Sequence, residues 1–117
     1  MTASELADIL FHARYRYNSE KELQLAISQI LYQSNLPWKT EVPLTKKDRI
    51  DFMVGDIGIE VKVGGSFQQV LRQLHRYACL PEVQGLVLVT TRQSHRDLPT
   101  KLNGKPLFVV WLINSFL

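Results

Sequence analysis

The sequence predicts an α/β domain in which a mixed sheet is flanked by helices, with the order αβββαβ followed by one additional C-terminal strand. Three observations carry this. Apolar residues recur at helical spacing over residues 19–34 and again over 66–80. Between them, residues 39–63 hold three short runs with strand-like alternation. Residues 85–91 then form a continuous, β-branched apolar run of strand length.

A short amphipathic helix is expected over residues 3–15, with Leu6, Ile9, Leu10 and Ala13 on one face. Asn18 or Ser19 caps the next helix, whose first turn is acidic and whose Leu23, Ile27, Ile30 and Leu31 form a stripe up to about Ser34. After Pro37, residues 39–44, 49–54 and 57–63 read as strands. Gly64-Gly65 turns the chain, and Ser66 caps a second long helix to about Leu80, with Phe67, Val70, Leu71, Leu74 and Ala78 inward. The run 85–91 suits a central strand covered on both faces. The polar segment 93–102, with Pro99, has room for one helical turn, and 107–113 reads as a last buried strand. A tight hairpin pairs antiparallel, whereas a strand reached through a helix returns parallel, so the sheet is mixed. The two long helices then cover its opposite faces or flanks.

A chain of 117 residues fits one domain, residues 1–117, with a core large enough to need no staples. Its hydrophobic share of 45% is that of an ordinary globular protein, which argues against a disordered or fibrous one. The net charge of +3 suits a polyanionic partner without requiring one. Cys79 is the only cysteine, which excludes an intramolecular disulfide and a cysteine-based zinc cluster, and a reducing cytoplasm fits best. The N-terminal residues lack signal-peptide character, and no stretch approaches the roughly 20 apolar residues that span a bilayer, so no membrane role is expected.

The hairpin register can be read from its turn. Gly55-Asp56 is a two-residue loop with Gly first, which suits a type II′ turn. Counting outward pairs Val54 with Ile57, Met53 with Gly58, Phe52 with Ile59 and Asp51 with Glu60, and brings Arg49 opposite Lys62. Ile57, Ile59, Val61 and Val63 define the core face, so Glu60 and Lys62 project from the other face and Asp51 joins them. Two carboxylates about 5 Å apart at Cβ destabilise a sheet unless positive charge lies between them. A divalent cation, Mg²⁺ or Mn²⁺, meets that need and keeps most of its shell for water and phosphate oxygens. Lys62 is placed to orient an attacking water or to stabilise developing negative charge. The competing reading is the solvated face of an ordinary amphipathic hairpin.

Asp51 followed by Glu60-Val61-Lys62, in a hairpin between two helices, resembles the PD-(D/E)XK nuclease superfamily over residues 19–91. That superfamily has a restriction-endonuclease-like αβββαβ core, with its Asp on the second core strand and (D/E)XK on the third. Ile50 stands where a Pro is usual. Gln73-Leu74-His75-Arg76-Tyr77 resembles the QxxxY motif of RecB-like nucleases, and Glu20-Lys21-Glu22-Leu23 is similar to a helix pattern of archaeal Holliday-junction resolvases.

The resemblance implies a Mg²⁺- or Mn²⁺-dependent deoxyribonuclease that leaves a 5′-phosphate and a 3′-hydroxyl. Asp51, Glu60 and the Val61 carbonyl would hold the metal, Glu20 would support it, with Glu22 ranking second, and Lys62 would assist the nucleophile. Gln73 would orient a catalytic carboxylate or the lysine, and Tyr77 a phosphate. Lys46, Lys47, Arg49, Arg72 and Arg76 are candidates for the DNA backbone. A homodimer is expected, acting alone on DNA or within a larger DNA-processing assembly. An endonuclease for duplex or branched DNA leads, with a Holliday-junction resolvase, an exonuclease and a catalytically silent DNA- or protein-binding module as alternatives. His12, His75 and His95 show no metal-binding spacing and read as surface or partly buried, while Trp38 and Trp111 read as packing residues.

Overall fold

Local chemistry sets where each helix begins. In the computed structural model, which describes residues 1–113, Thr2 and Glu5 form a capping box at the start of α1 (Ala3–His12). This helix stops short of the expected residue 15 because Ala13 is already extended. Ser19, rather than Asn18, caps α2 (Glu20–Gln33) by accepting the Glu22 N–H. Ser66 and Gln69 form a second capping box ahead of α3 (Phe67–Ala78).

The strands are β1 (Lys39–Pro43), β2 (Arg49–Val54), β3 (Ile57–Lys62), β4 (Gly85–Thr90), β5 (Lys101–Leu102) and β6 (Lys105–Trp111). They form one open sheet in the order β1-β2-β3-β4-β6-β5. β1, β2 and β3 pair antiparallel, whereas β3, β4 and β6 pair parallel, giving the expected mixed sheet. β4 lies inside it with all of its residues buried.

The stretch between β4 and β6 corrects one expectation. A short 3₁₀ helix, Gln93–Asp97, fills part of it, but Lys101–Leu102 is a strand that pairs antiparallel with the start of β6. Asn103 and Gly104 between them both have positive φ, 50° and 74°, as a type I′ hairpin turn requires. β6 therefore starts at Lys105 and ends at Trp111 instead of running over 107–113, and Phe108, Val109 and Trp111 are only half-buried.

The helices divide between the two faces of the sheet. On one, Leu6 and Leu10 of α1 and Leu23, Ile27 and Leu31 of α2 pack with Phe52, Ile59, Val61, Val87 and Val89. On the other, Val70, Leu74 and Tyr77 of α3 pack with Ile50, Met53, Leu86 and Leu88. Both faces are thus core, and the side expected to carry Glu60 away from the core lies under α3. Ile50 and Phe52, which regular alternation would place on one face, belong to opposite cores. The alternation breaks at Asp51.

His95 also departs from expectation, since it is fully buried. Its Nε2 donates to the Gly65 carbonyl at 2.9 Å, which leaves Nδ1 to accept from the Thr90 hydroxyl at 2.7 Å. The chain leaving β3 is tied to β4 in this way, with Gly65 at φ +91° supplying the turn. Among the described residues, no helix is long and apolar enough to cross a membrane.

Candidate active site

The β2–β3 ladder joins Val54 to Ile57, Met53 to Gly58 and Phe52 to Ile59, and goes no further. To that point the register follows the turn, where Gly55 adopts φ +61°. The expected ladder pairs Asp51/Glu60 and Arg49/Lys62 do not form. β3 stays with β4 through Lys62↔Thr90, and β2 stays with β1 through Arg49↔Pro43, so the two strands part.

Two side chains occupy the opening. The Asp51 N–H donates to Glu60 Oε1 at 3.2 Å, and the Val61 N–H donates to Asp51 Oδ2 at 2.8 Å. Each carboxylate takes the place of a ladder carbonyl, so the buried amides stay satisfied although the strands have separated. Asp51 and Glu60 are thereby held by the backbone of each other's strand.

Burial then sets their electrostatics. Glu60 is 3% exposed and Asp51 is half-buried. Removal from water, and then the neighbouring Asp51 charge, push Glu60 up to about 8, against the opposing pull of Lys62 and the Asp51 amide. Asp51 is raised by burial too, with the Val61 amide opposing and the Glu20 and Glu41 carboxylates adding to the rise. Lys62 Nζ, 3.4 Å from Glu60 Oε2, is the cation of the group.

From α3, the Tyr77 hydroxyl accepts from Gln73 Nε2 at 2.9 Å and lies 3.1 Å from the Arg49 carbonyl and 3.4 Å from Glu60 Oε2. It has one proton for those two acceptors. Tyr77 is fully buried, so it has no surface to offer a phosphate, and with Gln73 it braces Glu60 from behind. Burial, followed by the charge of Glu60, holds its hydroxyl well above the usual phenol range.

α2 approaches from the opposite face. Glu22 is exposed and its Oε1 accepts the Asn18 N–H at 2.9 Å, whereas Glu20 is half-buried and its charge is felt at Asp51. Of the two, Glu20 is the glutamate whose charge reaches Asp51. One turn on, Gln24 Nε2 donates to Asp51 Oδ1 at 3.1 Å. Sequence reasoning missed Gln24, although its i, i+4 relation to Glu20 was a usable signal. It also missed Glu41, which the β1–β2 register places across from Asp51 with φ +52°. Nothing in the local pattern marks that residue.

Whether this donor set fits a metal can be judged from its chemistry. Among the described residues, no group of three or more His, Cys, Asp or Glu is gathered to hold an ion. Two carboxylates are fewer ligands than a full cage, so a hard cation held between them would keep most of its shell for water and other ligands. Glu60, buried, and Asp51, half-buried, are both raised in pKa, and a bound cation would relieve them.

Lys46, Lys47, Arg49 and Arg72 are exposed. Arg76 is already engaged, with Nε 3.2 Å from both oxygens of the buried Asp48 and Nη2 3.0 Å from Oδ1. Asp48 also closes the β1–β2 turn through its carbonyl, which accepts from Leu44 and Thr45, so Arg76 pins that turn to α3. His12 and His75 are exposed. Trp38 packs edge-on against Phe52 at 6.2 Å, and Trp111 lies beneath the Arg96 guanidinium at 4.4 Å. In comparison with known proteins, no family model, no curated protein and no solved structure matches the chain.

Proposed function

We propose that the protein is a metal-dependent deoxyribonuclease of the PD-(D/E)XK type, hydrolysing phosphodiester bonds as a small endonuclease on duplex or branched DNA. The observation that carries this reading is the Asp51–Glu60 pair, half-buried and buried respectively, in the opening between two parted strands, with Lys62 against Glu60. An ordinary solvated hairpin face would leave these carboxylates in water. The succession α2-β1-β2-β3-α3-β4, with Asp51 on β2 and Glu60 on β3, supports a restriction-endonuclease-like αβββαβ arrangement.

In this reading Asp51, Glu60 and the Val61 carbonyl hold Mg²⁺ or Mn²⁺, with Glu20 near enough to assist. When bound, the cation supplies charge neutralisation at the phosphoryl oxygens and a more acidic water. The chain's own groups do the rest. Lys62 carries positive charge to where the transition state becomes negative. Gln73 and Tyr77 keep Glu60 in one orientation, and the Val61 amide does the same for Asp51. The exposed Lys46, Lys47, Arg49 and Arg72 meet the DNA backbone without reading sequence.

Cleavage of single-stranded, duplex and branched DNA with Mg²⁺ or Mn²⁺ tests the reading, with Asp51→Ala, Glu60→Ala and Lys62→Ala as controls. Loss of cutting in each variant is expected, and cutting that survives all three sinks the site. A second reading, a catalytically silent nuclease-like module, is favoured by one observation: among the described residues, no group of three or more His, Cys, Asp or Glu is gathered to hold an ion. Calorimetry separates the two, since a protein that takes up no Mn²⁺ with or without DNA is the silent module.

A further inference from the structure

We propose that Gln24 is a positioning residue that fixes the orientation of Asp51 for cation binding; the inference rests on the metal-dependent reading above. Asp51 is gripped at both oxygens, by the Val61 amide at Oδ2 and by Gln24 Nε2 at Oδ1. The first grip comes from β3 and the second from α2, so the carboxylate cannot rotate without losing one of them. α2 itself is anchored by Leu23 and Ile27, which flank Gln24 in sequence or along the helix and are fully buried.

The chemical nature of the donor matters as much as its place. Glu20 and Glu41 already add negative charge around Asp51, which makes a cationic side chain the simple electrostatic solution at position 24. A Lys or Arg there would neutralise Asp51 and take the place of the metal. A carboxamide donates a hydrogen bond while carrying no charge at any pH, so it fixes the geometry and leaves the charge for an incoming cation. Groups that orient a metal's ligands in this manner affect affinity by about 10–100-fold when removed.

The test is a Mn²⁺ titration of the full chain, followed by water-proton relaxation, on the wild type, Gln24→Ala and Gln24→Lys, with melting temperatures taken without metal. Gln24→Ala should weaken Mn²⁺ binding by about 10-fold or more, with little change in metal-free melting. Gln24→Lys should abolish binding and raise the metal-free melting temperature, because its ammonium satisfies the acidic group. A purely structural role for Gln24 moves binding and melting in the same direction, so binding lost together with melting in both variants overturns the inference. Wild-type affinity in Gln24→Ala overturns this inference and leaves the nuclease reading standing. A wild-type protein that binds no Mn²⁺ overturns both.

Discussion

The two ends of the β2–β3 pair are built from the same strands and behave differently. At the turn end, from Val54/Ile57 to Phe52/Ile59, backbone satisfies backbone and side chains alternate between two apolar cores. At the other end the backbones part, and carboxylates satisfy the amides that the ladder has abandoned. The closed end is where the fold draws stability from the hairpin. The open end holds two carboxyl groups withdrawn from water that a sheet does not need for its own sake, which is the reason to locate chemistry there. Substitutions at the open end should therefore change chemistry more than stability, and those at the closed end the reverse.

The largest expected effect is at the open end. Asp51→Asn and Glu60→Gln keep the shape and the hydrogen-bond acceptor for the Val61 or Asp51 amide but remove the charge. On the proposed nuclease reading, DNA cleavage should fall by about 10³-fold or more, or ~4 kcal/mol of transition-state stabilisation. Without metal at pH 8, the same variants should melt no lower than the wild type, because a neutral amide replaces a carboxylate that burial disfavours. Variants that unfold instead would make the carboxylates structural and erase the contrast between the two ends.

A second effect follows from the same pair through proton linkage. In the fold Glu60 is pushed up to about 8, from 4.5 for a free side chain. The folded state therefore holds a proton that the unfolded chain has lost. The associated stability is fully present below about pH 4.5 and is lost as the pH rises through 8. Metal-free melting temperature should fall from pH 5 to pH 8.5, and Glu60→Gln should flatten that slope. Mn²⁺ should flatten it as well, by binding the ionised form. A wild-type slope unchanged by Glu60→Gln would place the titrating group elsewhere.

How far the sequence reveals these two ends differs for a physical reason. Helical spacing, the Ser19 and Ser66 caps and the Gly55-Asp56 turn are local signals, and they locate α2, α3 and the hairpin to within a few residues. The turn also specifies register, which holds through Phe52/Ile59. The parting of the strands is not local: it depends on β4 holding β3 and on β1 holding β2, and hydrophobic alternation does not say which neighbour prevails. Glu41 is invisible for the same reason, since it meets Asp51 only through the β1–β2 register. The burial of His95 likewise needs Gly65 and Thr90 brought together from distant segments. The β5–β6 hairpin was missed although it carried a local signal, because Asn103-Gly104 is among the strongest short-range turn pairs. Gln24 was missed as well, although it lies one turn from Glu20 on α2.

At the closed end the expected effects are smaller and fall on stability alone. Gly58 sits opposite Met53, and a Cβ there would collide with the Ile50 side chain and lie 3.0 Å from Leu86 Cδ2. Gly58→Ala should cost about 1–3 kcal/mol through overpacking. Denaturant unfolding measures that cost, and Mn²⁺ affinity below the transition should remain that of the wild type. Reduced affinity at a temperature where the variant is fully folded would mean that Ile50 transmits strain into the opening beside it.

Gly55→Ala is the smallest and cleanest probe of the comparison. No atom lies within 4 Å of the added methyl group, so packing contributes nothing. Only the left-handed backbone at φ +61° opposes the substitution, at about 1 kcal/mol. The turn specifies the register, and the register brings Asp51 beside Glu60, so a strained turn has two ways to respond. If it holds, stability drops by that amount and Mn²⁺ affinity is unchanged, because β1 and β4 hold the open end independently of the turn. If it relaxes by slipping, every side chain of β3 changes face and both stability and metal binding collapse together. The first outcome is expected, since six backbone partners between β3 and β4 would have to break for the second.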